Sequence, residues 1–285
     1  MLVIIGALVV VGCVFGGFLS EGGHLAVLIQ PNELLIIGGA ALGSLLIAAP
    51  VPLIKMIFRQ ILGAIKGSKT SKAEYTELLL LLYELFKMAK ANPLSIEPHV
   101  EKPEESEVFK RYPSVVNNHH AIHFLCDTLK IQISSPVSPF DLEELMDTDI
   151  TSAHQEEARA PATISRVGDA MPGLGIVAAV LGVVITMGKL TRGKEVIGES
   201  VAAALVGTFL GVLTSYGFMQ PLAAKMEQVI AEEGKVLDVI KAAMLAYSKN
   251  CSPKVCVEFA RRTIPPDARP DFEEVDQATS GKRAA

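Results

Sequence analysis

Four uncharged stretches, grouped two and two around a long polar block, constrain this 285-residue chain more than any other feature. They run from Met1 to Ser20, Leu34 to Ile54, Ala170 to Gly188 and Ser200 to Ala224. Each can cross a hydrocarbon core of about 30 Å, which takes roughly 20 helical residues. The expected fold class is therefore an all-α membrane protein with four transmembrane helices and a helical domain inserted between spans two and three. The domains read as a transmembrane hairpin (1–54), a polar helical domain (55–169), a second hairpin (170–224), a C-terminal helix (225–263) and a disordered tail (264–285).

Charge orients this layout. The polar block and the segment after the fourth span hold 23 of the 26 lysines and arginines, and the loop from Glu21 to Glu33 holds none. By the positive-inside rule both termini and the inserted domain are cytoplasmic. Lys189, Arg192 and Lys194 in the second short loop run against the rule but are outweighed. A net charge of −5 gives no sign of nucleic-acid binding. Val10-Val11-Gly12-Cys13 is like a lipoprotein cleavage site, but no Lys or Arg precedes Lys55, so the first span reads as retained. Four scattered cysteines, three of them in segments read as cytoplasmic, predict no disulfide.

Local signals in the polar block are helical. Ser71-Lys72-Ala73-Glu74 fits a capping box, opening a helix from about Lys72 to Ala91 that Asn92-Pro93 stops. A second helix is expected from Ser114 to Leu129. A third starts at Ser138-Pro139, with Ser as N-cap, Pro at the first position and Asp141, Glu143 and Glu144 in the first turn. Apolar residues from Met226 to Met244 recur at helical spacing, so one amphipathic helix should continue from the fourth span to about Asn250. From Ile264 onward the chain is Pro-rich, charged and poor in apolar residues, the composition of a disordered tail.

Inside the spans, small residues stand out. Ala203, Gly207, Gly211 and Ser215 repeat every fourth position on span four, and Gly175, Ala178, Ala179 and Gly182 pair similarly on span three. Such faces let helix backbones approach closely in lipid. Gly12 with Gly16, and Gly39 with Gly43, read as ordinary bundle packing. The hydroxyls of Thr186, Thr208 and Thr214 accompany the small face of spans three and four, which suits a path for water, an ion or a partner helix. No ionisable residue lies deep in any span as read from the sequence, so ion handling would need a carboxylate from a second subunit.

Two other constellations weigh less. His119 and His123 are four apart on one helical face, a spacing that can hold a metal, although an exposed polar face is the commoner outcome, and no metal site is assigned. The acids Glu104, Glu105 and Glu107, and those from Asp141 to Asp149, read as solvated faces rather than catalytic groups. No Walker A sequence occurs, so ATP hydrolysis is not expected and the chain does not read as an enzyme.

The ordered set Pro172-Gly173-Leu174-Gly175-Ile176-Val177-Ala178-Ala179-Val180-Leu181-Gly182, Val206-Gly207-Thr208-Phe209-Leu210-Gly211, Tyr216-Gly217-Phe218 and Pro221-Leu222 closely resembles the flagellar motor stator A subunit family, MotA. Gly16-Gly17-Phe18, Gln30-Pro31, Glu104-Glu105-Ser106-Glu107 and Val257-Glu258-Phe259 extend the resemblance over nearly the whole chain. It implies a homopentamer around two copies of a MotB-type subunit, whose single membrane helix supplies the ion-binding Asp, in the bacterial inner membrane. Ion flow would drive rotation through contacts with the rotor protein FliG, and no cofactor is implied. Pro172 and Pro221 match the family's prolines at the cytoplasmic ends of spans three and four, read as hinges rather than mere helix ends. Thr208 matches a hydroxyl near the partner's carboxylate. Ala179 stands where sodium-driven relatives carry Thr, so protons are the expected ion. Thr186, Gly207 and Gly211 complete the expected partner-facing path. Glu97 matches the acid of a rotor-facing pair, and its base is Lys90 in place of Arg, or Lys87; lysine keeps the charge but not the planar fork. The competing class is a proton channel of the ExbB or TolQ kind, which has three spans. A substrate transporter would call for internal repeats, and the two hairpins are unalike.

Overall fold

The computed structural model describes residues 2–67, 70–188 and 194–280, without the side chains of 194–197, 199 and 200. The described residues hold no strand. In chain order the helices are α1 (Leu2–Ser20), α2 (Leu25–Leu28), α3 (Pro31–Ala48), α4 (Val51–Lys66), α5 (Lys72–Ala91), α6 (Glu97–Glu101), α7 (Pro113–Val116), α8 (His119–Ser134), α9 (Pro139–Met187), α10 (Lys194–Thr214), α11 (Gln220–Ser248), α12 (Pro253–Thr263) and α13 (Phe272–Thr279). Four segments are long and apolar enough to span a membrane: Leu2–Ser20, Leu25–Ala48, and parts of Pro139–Met187 and Val201–Ser248. The charges of the second short loop that oppose the positive-inside rule, at Lys189, Arg192 and Lys194, lie outside the described side chains.

The chain divides into two compact units, residues 1–68 with 156–230 and residues 69–155 with 231–285. The first unit is larger than the two hairpins expected from sequence. α4 is amphipathic and buries Leu53, Ile57 and Ala64 against Ala160 and Ile164 of α9 and Ala223 and Met226 of α11. The charged residues Lys55, Arg59, Lys66, Glu156, Arg159, Arg166 and Asp169, which led 55–66 and 156–169 to be assigned to the inserted domain, are exposed. Pro161 sits inside α9, where its ring removes one backbone donor and leaves the Glu157 carbonyl without its helical partner. Gln60 of α4 fills that gap, donating from Nε2 to the Glu157 oxygen at 3.0 Å.

The second unit is a helical core built on α5. The Ser71 capping box forms: Ser71 N donates to Glu74 Oε2 at 2.8 Å and Glu74 N to Ser71 Oγ at 3.3 Å. The helix then presents Leu79, Leu81, Leu82, Leu85 and Phe86, all fully buried, to α8, the start of α9, the end of α11 and α12. Phe86 and Tyr247 stack at 4.8 Å between centroids. The helix expected from Ser114 to Leu129 is two: α7 ends at Val116 with Asn117 as its C-cap, and Asn118 caps α8 by accepting from Ala121 N at 3.1 Å. Asn250, at φ 60°, closes α11 in the left-handed conformation that ends helices.

The third helix begins at Ser138-Pro139 as expected, with Ser138 Oγ accepting from Asp141 N at 3.2 Å, and it continues into span three. One helix of 49 residues runs to Met187. The segment from Ile264, expected as a disordered tail, is folded over its described residues: Ile264 is fully buried, Val275 of α13 reaches the α5 core, and Lys72 pairs with Glu274 at 2.8 Å. A handful of buried side chains suffices to dock a short segment whose average composition is polar.

Candidate functional site

Span three and span four approach closely at glycines and alanines. A β-carbon added at Gly175 would lie 2.7 Å from the Gly207 carbonyl oxygen, and one at Gly211 would lie 2.5 Å from the Met171 carbonyl oxygen. One at Gly182 would lie 2.7 Å from Ala204 Cβ. Ala178 and Ala204 are buried between them. The small residues on α9 and α10 therefore form a backbone-to-backbone crossing, as expected of packing in lipid, where close approach replaces the hydrophobic effect. Gly12, Gly16, Gly39 and Gly43, read as packing positions, face open space within this one chain. α1 instead meets α10 through Phe15 and Phe209, edge to face at 6.5 Å.

The hydroxyls of the crossing differ in availability. Thr186 is buried and donates to the Gly182 carbonyl at 2.8 Å, and Thr214 donates to that of Leu210 at 2.7 Å. Both are satisfied within their own helices. Thr208 is half-buried and makes no hydrogen bond among the described residues, which leaves its hydroxyl free for a ligand or partner. Ala179 is likewise half-buried, and its neighbours Ile176, Val177, Val180, Val184 and Ile185 are exposed. This apolar face has no cover among the described residues.

One ionisable group enters the crossing, contrary to the expectation that none would. Pro31 takes the first position of α3, so Glu33 belongs to the helix rather than to the preceding loop. Its residue is 8 % exposed. A β-carbon at Gly207 would lie 2.6 Å from Glu33 Oε2, and one at Gly182 would lie 3.7 Å from Oε1. Oε2 is enclosed and has no hydrogen-bond partner among the described residues. Sequence reading missed it because the uncharged run was counted from Leu34; the Gln30-Pro31 helix start was the available signal.

Below the crossing, Pro172 lies inside α9 and Pro221 in the first turn of α11. Residues Ser215–Met219, directly before Gln220 and Pro221, wind as a π-helix. Wider turns of this kind arise where the regular hydrogen-bond ladder is interrupted, as proline requires. Gln220 ties the two proline-bearing helices together: its Nε2 donates to Asp169 Oδ1 at 2.6 Å and to the Ser165 carbonyl at 3.2 Å, while Ser165 Oγ donates to its Oε1 at 3.0 Å.

In the second unit, Lys87 and Lys90 are exposed on the last turns of α5, and Glu97 is exposed at the start of α6. A tight connection separates them. Asn92 Oδ1 accepts from Leu94 N at 3.2 Å, Ser95 Oγ donates to the Asn92 carbonyl at 2.6 Å, and buried Ile96 anchors the turn. No salt bridge holds Lys87, Lys90 or Glu97 among the described residues, so all three charges face outward. His119 and His123 are exposed on α8. The cysteines are unpaired; burial pushes the thiols of Cys126 and Cys256 up to about 12.

Residues 117–238 match the MotA/TolQ/ExbB proton channel family, and residues 4–93 match the motility protein A N-terminal family. Among curated relatives, motility protein A of Salmonella typhimurium is 40% identical over 97% of this chain and 94% of its own length. That of Escherichia coli is 41% identical over 97% and 94%. The chemotaxis protein LafT of Vibrio parahaemolyticus is 35% identical over 96% of both. The chain belongs to the motility protein A family. Two solved structures share its fold: C. jejuni MotAB (TM-score 0.76, 18% identity, 95% of this chain and 98% of that one) and the flagellar MotAB stator complex from Bacillus subtilis (0.74, 22%, 96% and 100%). Membership makes the chain a membrane-embedded motility subunit of a channel family, not an enzyme.

Proposed function

We propose that this chain is the ion-conducting, torque-generating stator subunit of a bacterial flagellar motor, coupling proton flow to rotation with a MotB-type partner and the rotor protein FliG. The observation that carries the reading is the glycine-to-glycine crossing of α9 and α10, in a chain 40% identical to motility protein A over nearly its whole length, with an uncovered apolar face beside it. That face is supplied with a partner by a pentamer of this chain around two MotB-type helices. In this reading Ala179, Thr186, Thr208, Gly207 and Gly211 line the path, Pro172 and Pro221 are its hinges, and Glu97 with Lys90 or Lys87 faces the rotor. The free hydroxyl of Thr208 sits beside the partner's Asp. Ala179 offers no oxygen ligand, which favours protons over sodium.

The distribution of lysine and arginine supports an inner-membrane location with both termini and the second unit on the cytoplasmic side. Four spans and the match of residues 4–93 to the motility protein A N-terminal family favour the motor over an ExbB- or TolQ-like channel. The test is rotation of tethered cells lacking the native gene and supplied with this one and its partner. Speed is expected to follow the proton motive force and to ignore external sodium at constant potential and pH. A speed that rises and saturates with sodium refutes the proton assignment, and a cell that stays paralysed with the complex present in its membrane refutes the motor.

A further inference from the structure

We propose that Glu33 is a proton-carrying group of the ion path, so that the path holds a carboxyl from this chain as well as one from its partner. This rests on the reading of the chain as a proton-conducting stator subunit. The juxtaposition is specific. Glu33 stands at the third position of α3, where an acidic side chain ordinarily folds back to the free N–H groups of the helix start. It does not do so here: Gln30, the N-cap, receives no side-chain bond, and the carboxyl points across to α9 and α10.

The space it fills exists only because of glycine. Gly207 and Gly182 flank the carboxyl on two helices, and Gly207 also meets Ala178 Cβ, which would lie 3.1 Å from an added β-carbon. Any side chain at Gly207 would displace Oε2. Burying a carboxyl with an unpartnered oxygen is costly in a low-dielectric surrounding, and intramembrane carboxyls that meet no partner mark ion and proton routes. Among the described side chains of the facing elements none supplies a compensating charge: α2, residues 172–187 of α9 and residues 201–214 of α10 carry no ionisable side chain. The ionisable residues nearest in sequence to these stretches are Glu21 and His24 before α2, Lys189 and Arg192 after α9, and Lys194, Glu195 and Glu199 in the first turns of α10.

In chemical terms the carboxylate takes a proton from a hydronium ion, releasing water, and the resulting carboxylic acid passes it to the next acceptor along the crossing, so that the residue returns to its starting state. Thr208 follows Gly207 directly, which puts its free hydroxyl one residue from the contact. A purely structural Glu33 would instead serve as a wedge between α3, α9 and α10. Glutamine has the same size and hydrogen-bonding reach but carries no proton, so it separates the two roles.

The experiment measures rotation of tethered cells carrying Glu33→Gln or Glu33→Asp in the full complex, with membrane abundance alongside, and infrared spectra of the purified complex titrated with acid. Expected results are at least a tenfold loss of speed for Glu33→Gln at wild-type abundance, and partial speed with a displaced pH profile for Glu33→Asp. A carboxylic-acid band should appear on acidification of the wild type, be lost in Glu33→Gln and move in Glu33→Asp. Wild-type speed in Glu33→Gln overturns the proposal and leaves the motor reading intact. If Glu33→Gln does not assemble, Glu33→Asp decides, and wild-type speed with an unchanged pH profile overturns it. If the wild type itself drives no rotation, the motor reading has failed, and the infrared band alone tests proton binding at Glu33: its absence overturns the proposal.

Discussion

Gln220 donates a hydrogen bond of 2.6 Å to Asp169, joining the helix that carries Pro221 to the helix that carries Pro172. The same side chain exchanges bonds with Ser165, so a single amide links the two helices where proline weakens the ladder of each. If the prolines are hinges, this link restrains how they bend. Interhelical hydrogen bonds in membranes contribute about 0.6 to 2 kcal/mol. Gln220→Leu should therefore lower the melting temperature of the detergent-solubilised complex by a few degrees and slow swimming while abundance is kept. Gln220→Glu sets a second carboxylate against Asp169 and should cost more. Equal melting temperatures for all three proteins would show that the link contributes nothing to stability.

Gly211 has no room for a β-carbon, whereas one at Gly173 would meet nothing within 4 Å. Overpacking a close contact costs about 1–3 kcal/mol. Gly211→Ala should force α9 and α10 apart and reduce both complex stability and motility, and Gly173→Ala should be stable. Motility of Gly173→Ala then reads that exposed position's role toward a partner, separately from packing within the chain. A Gly211→Ala complex with unchanged stability would contradict the crossing.

Exposure of Lys90, Lys87 and Glu97 limits what each can contribute, since a solvated charge pair is worth only about 0–1 kcal/mol. Glu97→Gln should impair swimming partly and Glu97→Lys more severely. A matching charge reversal on FliG should restore part of the loss. Swimming speed is measured for the four combinations of wild-type and reversed partners at equal stator abundance, and strictly additive effects would exclude direct contact.

Glu258 on α12 accepts from Arg261 at 2.7 and 2.9 Å and from Arg262 at 2.7 Å, and these guanidinium groups hold its carboxyl down at about 2. A carboxyl depressed in the folded state stabilises above its unfolded value, near 4.5, and that contribution is lost as pH falls toward about 2. After allowance for solvent screening it amounts to about 1–2 kcal/mol. Glu258→Gln should lower the melting temperature at pH 7 and flatten the acid limb of stability between those pH values. Circular dichroism melts across that window provide the check.

Buried Cys126 and Cys256 should resist alkylation at pH 8, because the thiolate is the reactive form and burial suppresses it. Half-exposed Cys251 should label first among the three cysteines of the second unit. Mass spectrometry of maleimide-treated native complex distinguishes the sites, and fast labelling of Cys256 would show that α12 is not docked on α5.

Much of this protein was legible in local sequence because the relevant physics is local. Charge-free runs of membrane length identify the spans, the Ser71 to Glu74 spacing caps α5, and Ser138-Pro139 starts α9. The every-fourth-residue glycines mark a helix face that must pack closely. These signals depend on neighbours within one or two turns.

Tertiary structure decided what depends on distant partners. Pro161 leaves the Glu157 carbonyl of α9 without its helical partner, and the group that satisfies it, Gln60, lies on another helix far away in sequence. Whether residues 264–280 hang loose depends on Ile264 and Val275 finding the α5 core, which average composition conceals. Glu33 belongs to a helix start by its sequence neighbours, but only the glycines at 182 and 207, on two other helices, create the space that takes its carboxyl. A residue's own segment sets its secondary structure, whereas the cost of burying its polar atoms is set by the groups that packing brings against them.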